Sequence, residues 1–408
     1  MWIERDIAPQ LLNNQQYVQL LIGPRQCGKS SLFAEIGQER YSEVTLDDFQ
    51  QRDLAEQDPA LFLAQYTLPL NIDEVQYAPA IFPEIKKIVD QLKRLALKNT
   101  VSSTPLPLFR LTGSNQILMD KYVKETLVGR AAYYYLHTLS VNEIIRAFPT
   151  MALSALLFKG GWPELYTQSI DPVHYLNDYI RQYIEKDVVL AAGINKQQDF
   201  HQVLKMLAAR TGQLVNYSDI AKDTGVKSNT IKEWVSILER TGLLKLLPAY
   251  HSNLNNRLIK MPKLFFLDTG LAIRLQGWNI EAPVLLSPQA GGLFETLVYG
   301  EIIKFIHNFG KTWSVYLWRT KEGEEIDFII EINPDTYIAL ESKLAIQNVR
   351  PINLSPAFKK TFPTIKNIDI VTAGGELKQL APHCKQIPIT QLASYLLDLT
   401  LPLTTQNT

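Results

Sequence analysis

The sequence of 408 residues has little of what marks secreted or membrane-embedded proteins. Its only cysteines are Cys27 and Cys384, which excludes a disulfide framework and a cysteine-based zinc site. No apolar run approaches the roughly 18 residues that a membrane helix needs. The N-terminal residues carry mixed charges early and lack the apolar segment of a signal peptide. We therefore expect a cytoplasmic protein with no membrane partner.

The chain also lacks net charge, internal repeats and low-complexity tracts. Its 41 basic residues balance its 41 acidic residues, so no overall field favours binding to nucleic acid or to a membrane surface. Hydrophobic residues make up 46% and charged residues 20%, which is typical of a folded globular protein. The length exceeds one ordinary core and predicts two or three domains.

The stretch 17–31 reads as an apolar strand, a loop bounded by glycines and the start of a helix. It fits the P-loop pattern G-x-x-x-x-G-K-[ST], in which backbone N–H groups and a helix N-terminus cradle phosphates. Lys29 would reach the β- and γ-phosphates, and the Ser30 hydroxyl would hold Mg²⁺. The pattern therefore predicts ATP and Mg²⁺ as ligands. The expected phosphate-binding residues are Gly23, Pro24, Arg25, Gln26, Cys27, Gly28, Lys29, Ser30 and Ser31.

A second apolar strand, 68–72, ends in two acids. This is the Walker B arrangement, in which Asp73 would hold Mg²⁺ and Glu74 would polarise the attacking water. The acids would lie at the carboxyl end of a strand, where open α/β sheets bind their ligands. The alternative is a pair of acids that opens a surface loop.

Two further candidates follow in the same region. The strand 107–113 ends in Ser114 and Asn115. Resemblance to ATPases of the AAA+ type implies that one of these side chains touches the γ-phosphate or the attacking water. A plain turn is the alternative for each. Arg130 precedes an aromatic strand, where it would complete a nucleotide site in cis, reach a neighbouring subunit as an arginine finger, or lie solvated at a strand edge.

The middle of the chain predicts a helical lid and a winged helix. Residues 140–187 show helical spacing of apolar residues. A helix, the Gly225 turn and a second helix with Ser228 as N-cap then give a helix-turn-helix pattern, followed by a hairpin. Residues 201–265 contain ten Lys or Arg against four Asp or Glu, a local charge of +6. DNA contacts would fall on Lys227, Asn229, Thr230 and Lys232, whereas a module without this role would serve as an ATPase lid or bind protein.

The C-terminal part predicts a helix to about residue 308 and strands at 313–319, 325–332 and 337–343. Asp327, Glu341 and Lys343 fit the PD-(D/E)xK arrangement of restriction-endonuclease-like folds. Residues 341 and 343 share one face of a strand. Asp327 and Glu341 would hold Mg²⁺, Lys343 would help to activate water, and Glu295 would complete the acidic set. The alternative is an ion-pair cluster without catalysis.

The sequence resembles the prokaryotic AAA+-type ATPases that carry a C-terminal domain of unknown function. The resemblance implies ATP binding and hydrolysis, and AAA+ relatives often form rings, which leaves a homo-oligomer open. It rests on 23–30, 72–76, 111–115, 127–130, 160–164, 183–188 and 267–271 and covers nearly the whole chain.

The fold class we expect is therefore α/β. A P-loop AAA+ domain (1–150) precedes a helical lid with a winged helix (151–280) and a restriction-endonuclease-like α/β domain (281–408). The leading function is an Mg²⁺-dependent ATPase coupled to nucleic-acid binding or processing. The main alternative is an ATP-dependent scaffold or sensor whose inactive C-terminal domain binds a protein partner. A small-molecule kinase is a weaker third reading, because no acceptor pocket is recognisable in the sequence.

Overall fold

The computed structural model describes residues 1–37, 40–98, 107–114, 126–189, 193–250, 261–346 and 348–399. They form two compact units. The first unit consists of Glu4–Thr138 with His307–Gly310, and the second of Met1–Ile3, Leu139–Ile306 and Lys311–Thr408. No helix among the described residues combines the length and apolar composition that crossing a bilayer requires.

The first unit is built on a five-stranded parallel sheet in the order β2-β3-β4-β1-β5. Its strands are β1 (Val18–Ile22), β2 (Ser42–Thr45), β3 (Leu70–Asp73), β4 (Phe109–Gly113) and β5 (Ala131–Tyr135). Its helices are Ala8–Leu12, Lys29–Gly37, Phe49–Gln57, Pro59–Ala64 and Ile81–Lys98.

Apolar residues cover both faces of this sheet. Leu20 packs into a core cluster with Phe82 and Ile85 of the helix Ile81–Lys98. Its neighbour Leu21 points to the opposite face and joins a second cluster that includes Phe33. Because successive strand residues face opposite sides, a strand buried on both faces is apolar at most positions. Strands β1, β3 and β4 follow this pattern but also carry buried polar residues, among them Gln19, Asn71 and Arg110.

The second unit begins with helices, as expected from the spacing of residues 140–187. A Ser140 capping box starts the first of them. Their bounds are Val141–Ala147, Leu153–Lys159, Glu164–Thr167 and Pro172–Tyr179, followed by a π-helix at Ile180–Val188.

The next segment of the second unit contains helices and a small antiparallel sheet. Its helices are Gln197–Ala209, Tyr217–Thr224, Ser228–Arg240 and Thr269–Leu275. Its strands, in the order β6-β8-β7, are β6 (Gln213–Leu214), β7 (Leu244–Leu247) and β8 (Lys263–Phe266). Gly225 ends its helix at φ +72°, as the glycine turn requires. The expected N-cap role of Ser228 is wrong, because Ser228 is the first helical residue and Lys227 occupies the cap without a side-chain bond.

The C-terminal part of the second unit carries a six-stranded mixed sheet in the order β13-β14-β12-β11-β10-β9. Strand β10 runs antiparallel to β9 and β11, whereas β12 runs parallel to β11. The strands are β9 (Ser314–Arg319), β10 (Glu325–Asn333), β11 (Thr336–Lys343), β12 (Ile368–Thr372), β13 (Lys378–Ala381) and β14 (Cys384–Pro388). The helices are Ala290–Asn308, Pro356–Thr361 and Leu392–Asp398.

Candidate functional site

The strand order of the first unit brings three polar segments to one edge of the sheet. All five strands are parallel, so their carboxyl ends share that edge. The P-loop follows β1, the two acids end β3, and β4 lies between these strands. The end of β4 therefore lies between the loop and the acids, which is the usual position for a ligand in an open α/β sheet.

The P-loop depends on its glycines and buries its lysine. A Cβ at Gly23 would lie 2.1 Å from the carbonyl oxygen of Leu136, so no other residue fits there without movement of the backbone. Gly28 has φ +93°, in the region that favours glycine. The Lys29 ammonium donates to the carbonyl oxygens of Gly23 (3.2 Å) and Pro24 (2.9 Å), and Lys29 is only 5% exposed. These contacts hold the lysine folded over the loop.

The other loop residues complete its shape. Arg25 donates to the Tyr77 hydroxyl at 2.7 Å. Gln26 takes a left-handed backbone conformation with φ +60°. Burial raises the pKa of the Cys27 thiol, which makes Cys27 a poor nucleophile and fits its interpretation as a small loop residue. Ser31 is exposed on the helix that follows the loop.

Three oxygen-bearing side chains converge beside the loop. The Ser30 hydroxyl donates to Oδ1 of Asp73 at 2.7 Å. The hydroxyl of Thr112, from the end of β4, donates to the same oxygen. Hydroxyl and carboxylate oxygens are the donors that Mg²⁺ takes in phosphate-binding sites, so Ser30 and Asp73 suit the ion that ATP chemistry requires.

The Glu74 carboxylate is held in place by its neighbours. Glu74 has a left-handed backbone with φ +55°, and its N–H donates to the Thr112 hydroxyl at 3.3 Å. Its Oε2 accepts from the Ser114 hydroxyl at 2.7 Å and from the Gln76 amide. Ser114, one of the two residues expected near the γ-phosphate, thus contacts the acid. Asn115 lies outside the described residues.

Sequence reasoning missed three residues of this group. Thr112 and Gln76 contact the acid pair, as described above. Burial and the charges of Glu74 and Asp73 raise the pKa of Asp47, which places a third carboxylate close by. A polar residue just before the end of a buried strand, as Thr112 is, was the available signal. The strand order needed to interpret it is not readable from the sequence.

The structure places Arg130 away from the P-loop. In the parallel pairing of β1 and β5, Val18 lies opposite Ala131 and Ile22 lies opposite Tyr135. Arg130 precedes β5 and the P-loop follows β1. Arg130 therefore lies at the amino ends of the parallel strands and the P-loop at their carboxyl ends, about 16 Å away along the strands. Arg130 forms a bidentate ion pair with Asp90 at 2.6 and 2.9 Å. The expected role in cis does not fit this register.

The C-terminal sheet brings the acids of the second unit together. Asp327 on β10 accepts at Oδ2 from the N–H and the hydroxyl of Ser342, at 2.8 and 2.7 Å. The Asp327 N–H in turn donates to Glu341 on β11 at 3.2 Å. The Lys343 ammonium donates to the other Glu341 oxygen at 2.7 Å. The three expected residues therefore meet on adjacent strands, with Lys343 half exposed.

A lysine that sequence reasoning did not assign to this site enters the cluster from β8. The Lys263 ammonium lies 2.5 Å from Glu295 Oε1, 2.8 Å from Glu325 Oε1 and 3.6 Å from Asp327 Oδ1. Its side chain is only 7% exposed. We call Lys263, Glu295, Glu325 and Asp327 the lysine cage. Its members come from one strand of the small sheet, one helix and one strand of the C-terminal sheet, so only tertiary packing joins them.

Burial and crowding set the protonation of these acids. Burial, with the charge of Asp327 next, raises the pKa of Glu341 to about 7 and also raises that of Glu295. Burial alone would lower the pKa of Lys263, but Glu295 and Asp327 outweigh it and the pKa is raised. Within the described residues, no three His, Cys, Asp or Glu side chains meet in a geometry that would hold a metal ion. A cation at Asp327 and Glu341 would compete with the ammonium groups of Lys263 and Lys343.

Comparison with known families assigns the first part of the chain. Residues 15–145 match the model of an AAA domain. Residues 150–282 and 290–392 match two domains of unknown function, DUF8612 and DUF4143. Each match covers less than half of the chain, so the comparison assigns its parts separately.

Similar proteins are known from bacteria and archaea. An uncharacterized protein of Mycobacterium tuberculosis is 26% identical over 343 residues, which is 83% of this chain and 73% of that protein. One from Haemophilus influenzae is 23% identical over 347 residues, 77% of this chain and 79% of that protein.

Among solved structures, the chain is similar to a Walker-type ATPase of Pyrococcus abyssi (15% identity, 67% of this chain, 96% of that chain, TM-score 0.38). It is also similar to the ORC2 protein of Aeropyrum pernix (11% identity, 59% of this chain, 86% of that chain, TM-score 0.31).

The family match and the parallel sheet that carries the P-loop together support one conclusion. Residues 15–145 form a P-loop domain that matches the AAA family model, and this match supports ATP binding and suggests ATP hydrolysis.

Proposed function

We propose that the chain is an Mg²⁺-dependent ATP hydrolase whose first unit regulates nucleic-acid binding or processing by the second. One observation carries the ATPase part. The Ser30 and Thr112 hydroxyls both donate to Oδ1 of Asp73, and the Ser114 hydroxyl donates to the nearby Glu74 carboxylate. This site has an Mg²⁺-binding pair, Ser30 and Asp73, and a separate, oriented carboxylate for water.

Each residue has a distinct role in this proposal. Lys29 leaves the carbonyl oxygens that it now contacts and neutralises the β- and γ-phosphates. Ser30 and Asp73 hold Mg²⁺, which stabilises the charge on the phosphates when it is bound. Glu74 orients and polarises the attacking water, while Ser114 fixes the direction of the carboxylate.

Separate measurements of ATP binding and of ATP turnover distinguish the roles of these residues. Lys29→Ala should abolish both ATP binding and hydrolysis, because the phosphates lose their buried cation. Glu74→Gln is nearly isosteric and should keep binding while it abolishes turnover. Binding is measured with a fluorescent ATP analogue and turnover by phosphate release. Full ATPase activity in Lys29→Ala would refute the P-loop assignment, and wild-type turnover in Glu74→Gln would refute the role of Glu74.

The nucleic-acid part of the proposal rests on the helix Ser228–Arg240. Lys227, Asn229 and Lys232 are exposed at its N-terminal end, and Thr230 is half-buried, as the docking of a recognition helix requires. The basic charge that this region offers to a ligand is smaller in the folded chain than in the sequence. Lys263 is buried in the lysine cage, where it is paired with acids outside residues 201–265. The exposed N-terminal end of this helix is thus the surface that we assign to DNA.

The lysine cage favours a second candidate function, the ATP-dependent scaffold with an inactive C-terminal domain. A buried ammonium beside Asp327 and Glu295 supplies the positive charge that a metal ion would bring to a nuclease site. A domain held in this state would bind a protein partner rather than cut a nucleic acid.

Metal-dependent cleavage decides between the two candidates. Labelled single- and double-stranded DNA and RNA are incubated with Mg²⁺ or Mn²⁺, with and without ATP. Cleavage that disappears in Lys343→Ala and in Glu341→Ala supports the nuclease, and its dependence on ATP reports coupling between the units. No cleavage under any condition, or cleavage that survives in both variants, supports the scaffold.

A further inference from the structure

The second unit contains a cleft that neither the nucleotide site nor the lysine cage uses. Its volume is about 540 Å³, within the range of small-molecule sites. It lies among the helices Pro172–Tyr179, Gln197–Ala209 and Thr269–Leu275 and the start of the π-helix. We call it the cationic cleft, because Arg181, Lys205 and Arg274 line it.

The described wall of the cleft carries positive charge without a counter-charge, because no acidic residue is among its described lining residues. No carboxylate among the side chains that the structure describes forms an ion pair with Lys205 or Arg274, whereas other basic residues of this unit, such as Arg210 and Lys263, are paired. Three like charges around one concave surface repel one another and attract an anion.

Of these three residues, Arg274 is the best positioned to bind an anion. Its Nε donates to Oδ1 of Asn177 at 2.6 Å, and its Nη1 donates to the carbonyl oxygen of Trp278 at 2.8 Å. These neutral acceptors fix the guanidinium plane without neutralising its charge. Partial burial lowers the pKa of Arg274. An oxyanion in the cleft would restore the electrostatic stabilisation that burial removes, and the planar guanidinium matches the geometry of a phosphate.

The backbone that supplies Arg181 is itself unusual. It belongs to the π-helix Ile180–Val188. π-Helical turns are rare and occur frequently at functional sites. Ile180 and Leu275 add an apolar part to the wall, and Gln197 and Gln198 add amides. A ligand with a phosphate, hydrogen-bonding groups and an apolar surface matches these contacts.

We propose that the cationic cleft binds a phosphate-bearing small molecule of about mononucleotide size. Its phosphate lies between Arg181, Lys205 and Arg274. No Phe, Tyr or Trp is among the described lining residues, so the cleft lacks the stacking platform that single-stranded nucleic acids use. This site is separate from the P-loop and does not depend on its ATPase activity.

The test uses the full chain with Lys29→Ala, which removes the phosphate-binding lysine of the P-loop. Calorimetric titrations with inorganic pyrophosphate, AMP and adenosine compare this background with three further substitutions. Arg274→Gln removes the oriented guanidinium. Lys205→Gln removes an exposed charge that makes no hydrogen bond in the described structure, so it should not disturb folding. Lys359→Gln, on the helix Pro356–Thr361, is the matched control.

We expect the background protein to bind pyrophosphate and AMP but not adenosine. Arg274→Gln and Lys205→Gln should each weaken binding about tenfold or more, since each removes a charge-assisted contact, and Lys359→Gln should not. Absence of pyrophosphate and AMP binding, or equal affinity in all variants, would overturn the proposal. A (dT)₁₂ oligonucleotide that binds more tightly than AMP and is weakened by the same substitutions would overturn the small-molecule assignment.

Discussion

Lys263→Met should strongly destabilise the second unit. Methionine preserves the apolar stem of the lysine but removes the ammonium from Glu295, Glu325 and Asp327. At an effective dielectric constant of 20, the separations of 2.5, 2.8 and 3.6 Å correspond to gross attractions of about 7, about 6 and about 5 kcal/mol. Repulsion among the carboxylates and the desolvation of the ammonium oppose most of this attraction.

The net effect follows from what the substitution leaves behind. Removing one partner of a buried ion pair costs about 3–5 kcal/mol, because the remaining charge stays buried without compensation. For a unit of this size, such a loss lowers the melting temperature by about 6–20 °C. Glu325 is more exposed than Glu295, so solvent screens its share and Glu295 should dominate.

Differential scanning calorimetry and urea unfolding measure this effect, with Lys359→Met as the exposed control. The double variant Lys263→Met/Glu295→Gln should recover part of the loss, since it removes both members of the closest pair. Mn²⁺ should stabilise Lys263→Met more than the wild type, because the vacated carboxylates can accept a cation. A melting temperature within 2 °C of that of the control would refute the reasoning, whatever Mn²⁺ does.

Three further predictions concern the first unit. Thr112→Val removes the hydroxyl that Asp73 and the Glu74 N–H share, so hydrolysis should fall about tenfold to hundredfold while ATP affinity changes less; an unchanged rate in a phosphate-release assay would contradict this. Gly23→Ala forces a Cβ against the Leu136 carbonyl and should abolish nucleotide binding in a fluorescent-analogue titration, unlike Gly291→Ala, where an added Cβ meets no atom within 4 Å. Arg130→Ala should leave the ATPase rate unchanged at every protein concentration, whereas an arginine finger acting on a neighbouring subunit would make the rate fall about 10³-fold or more.

The sequence alone was sufficient to predict features that depend on the spacing of neighbouring residues along the chain. The strand, glycine loop and helix of the P-loop are contiguous, so their spacing specifies the turn that the backbone must make. Asp73 and Glu74 end a strand, and residues 341 and 343 share one face of another, because strand geometry fixes both relations. The placement of Asp327 beside Glu341 also follows from a short hairpin between adjacent strands.

The remaining features depend on which elements become neighbours, and local spacing does not determine that. Insertion of β4 between β1 and β3 brings Thr112 to Asp73, and the parallel register of β5 takes Arg130 to the opposite edge of the sheet. Lys263 counted in the sequence as one charge of a basic surface. Tertiary packing instead buries it among three carboxylates, whose charges offset the cost of taking the ammonium out of water. The cationic cleft likewise exists only where four helical segments of the second unit meet.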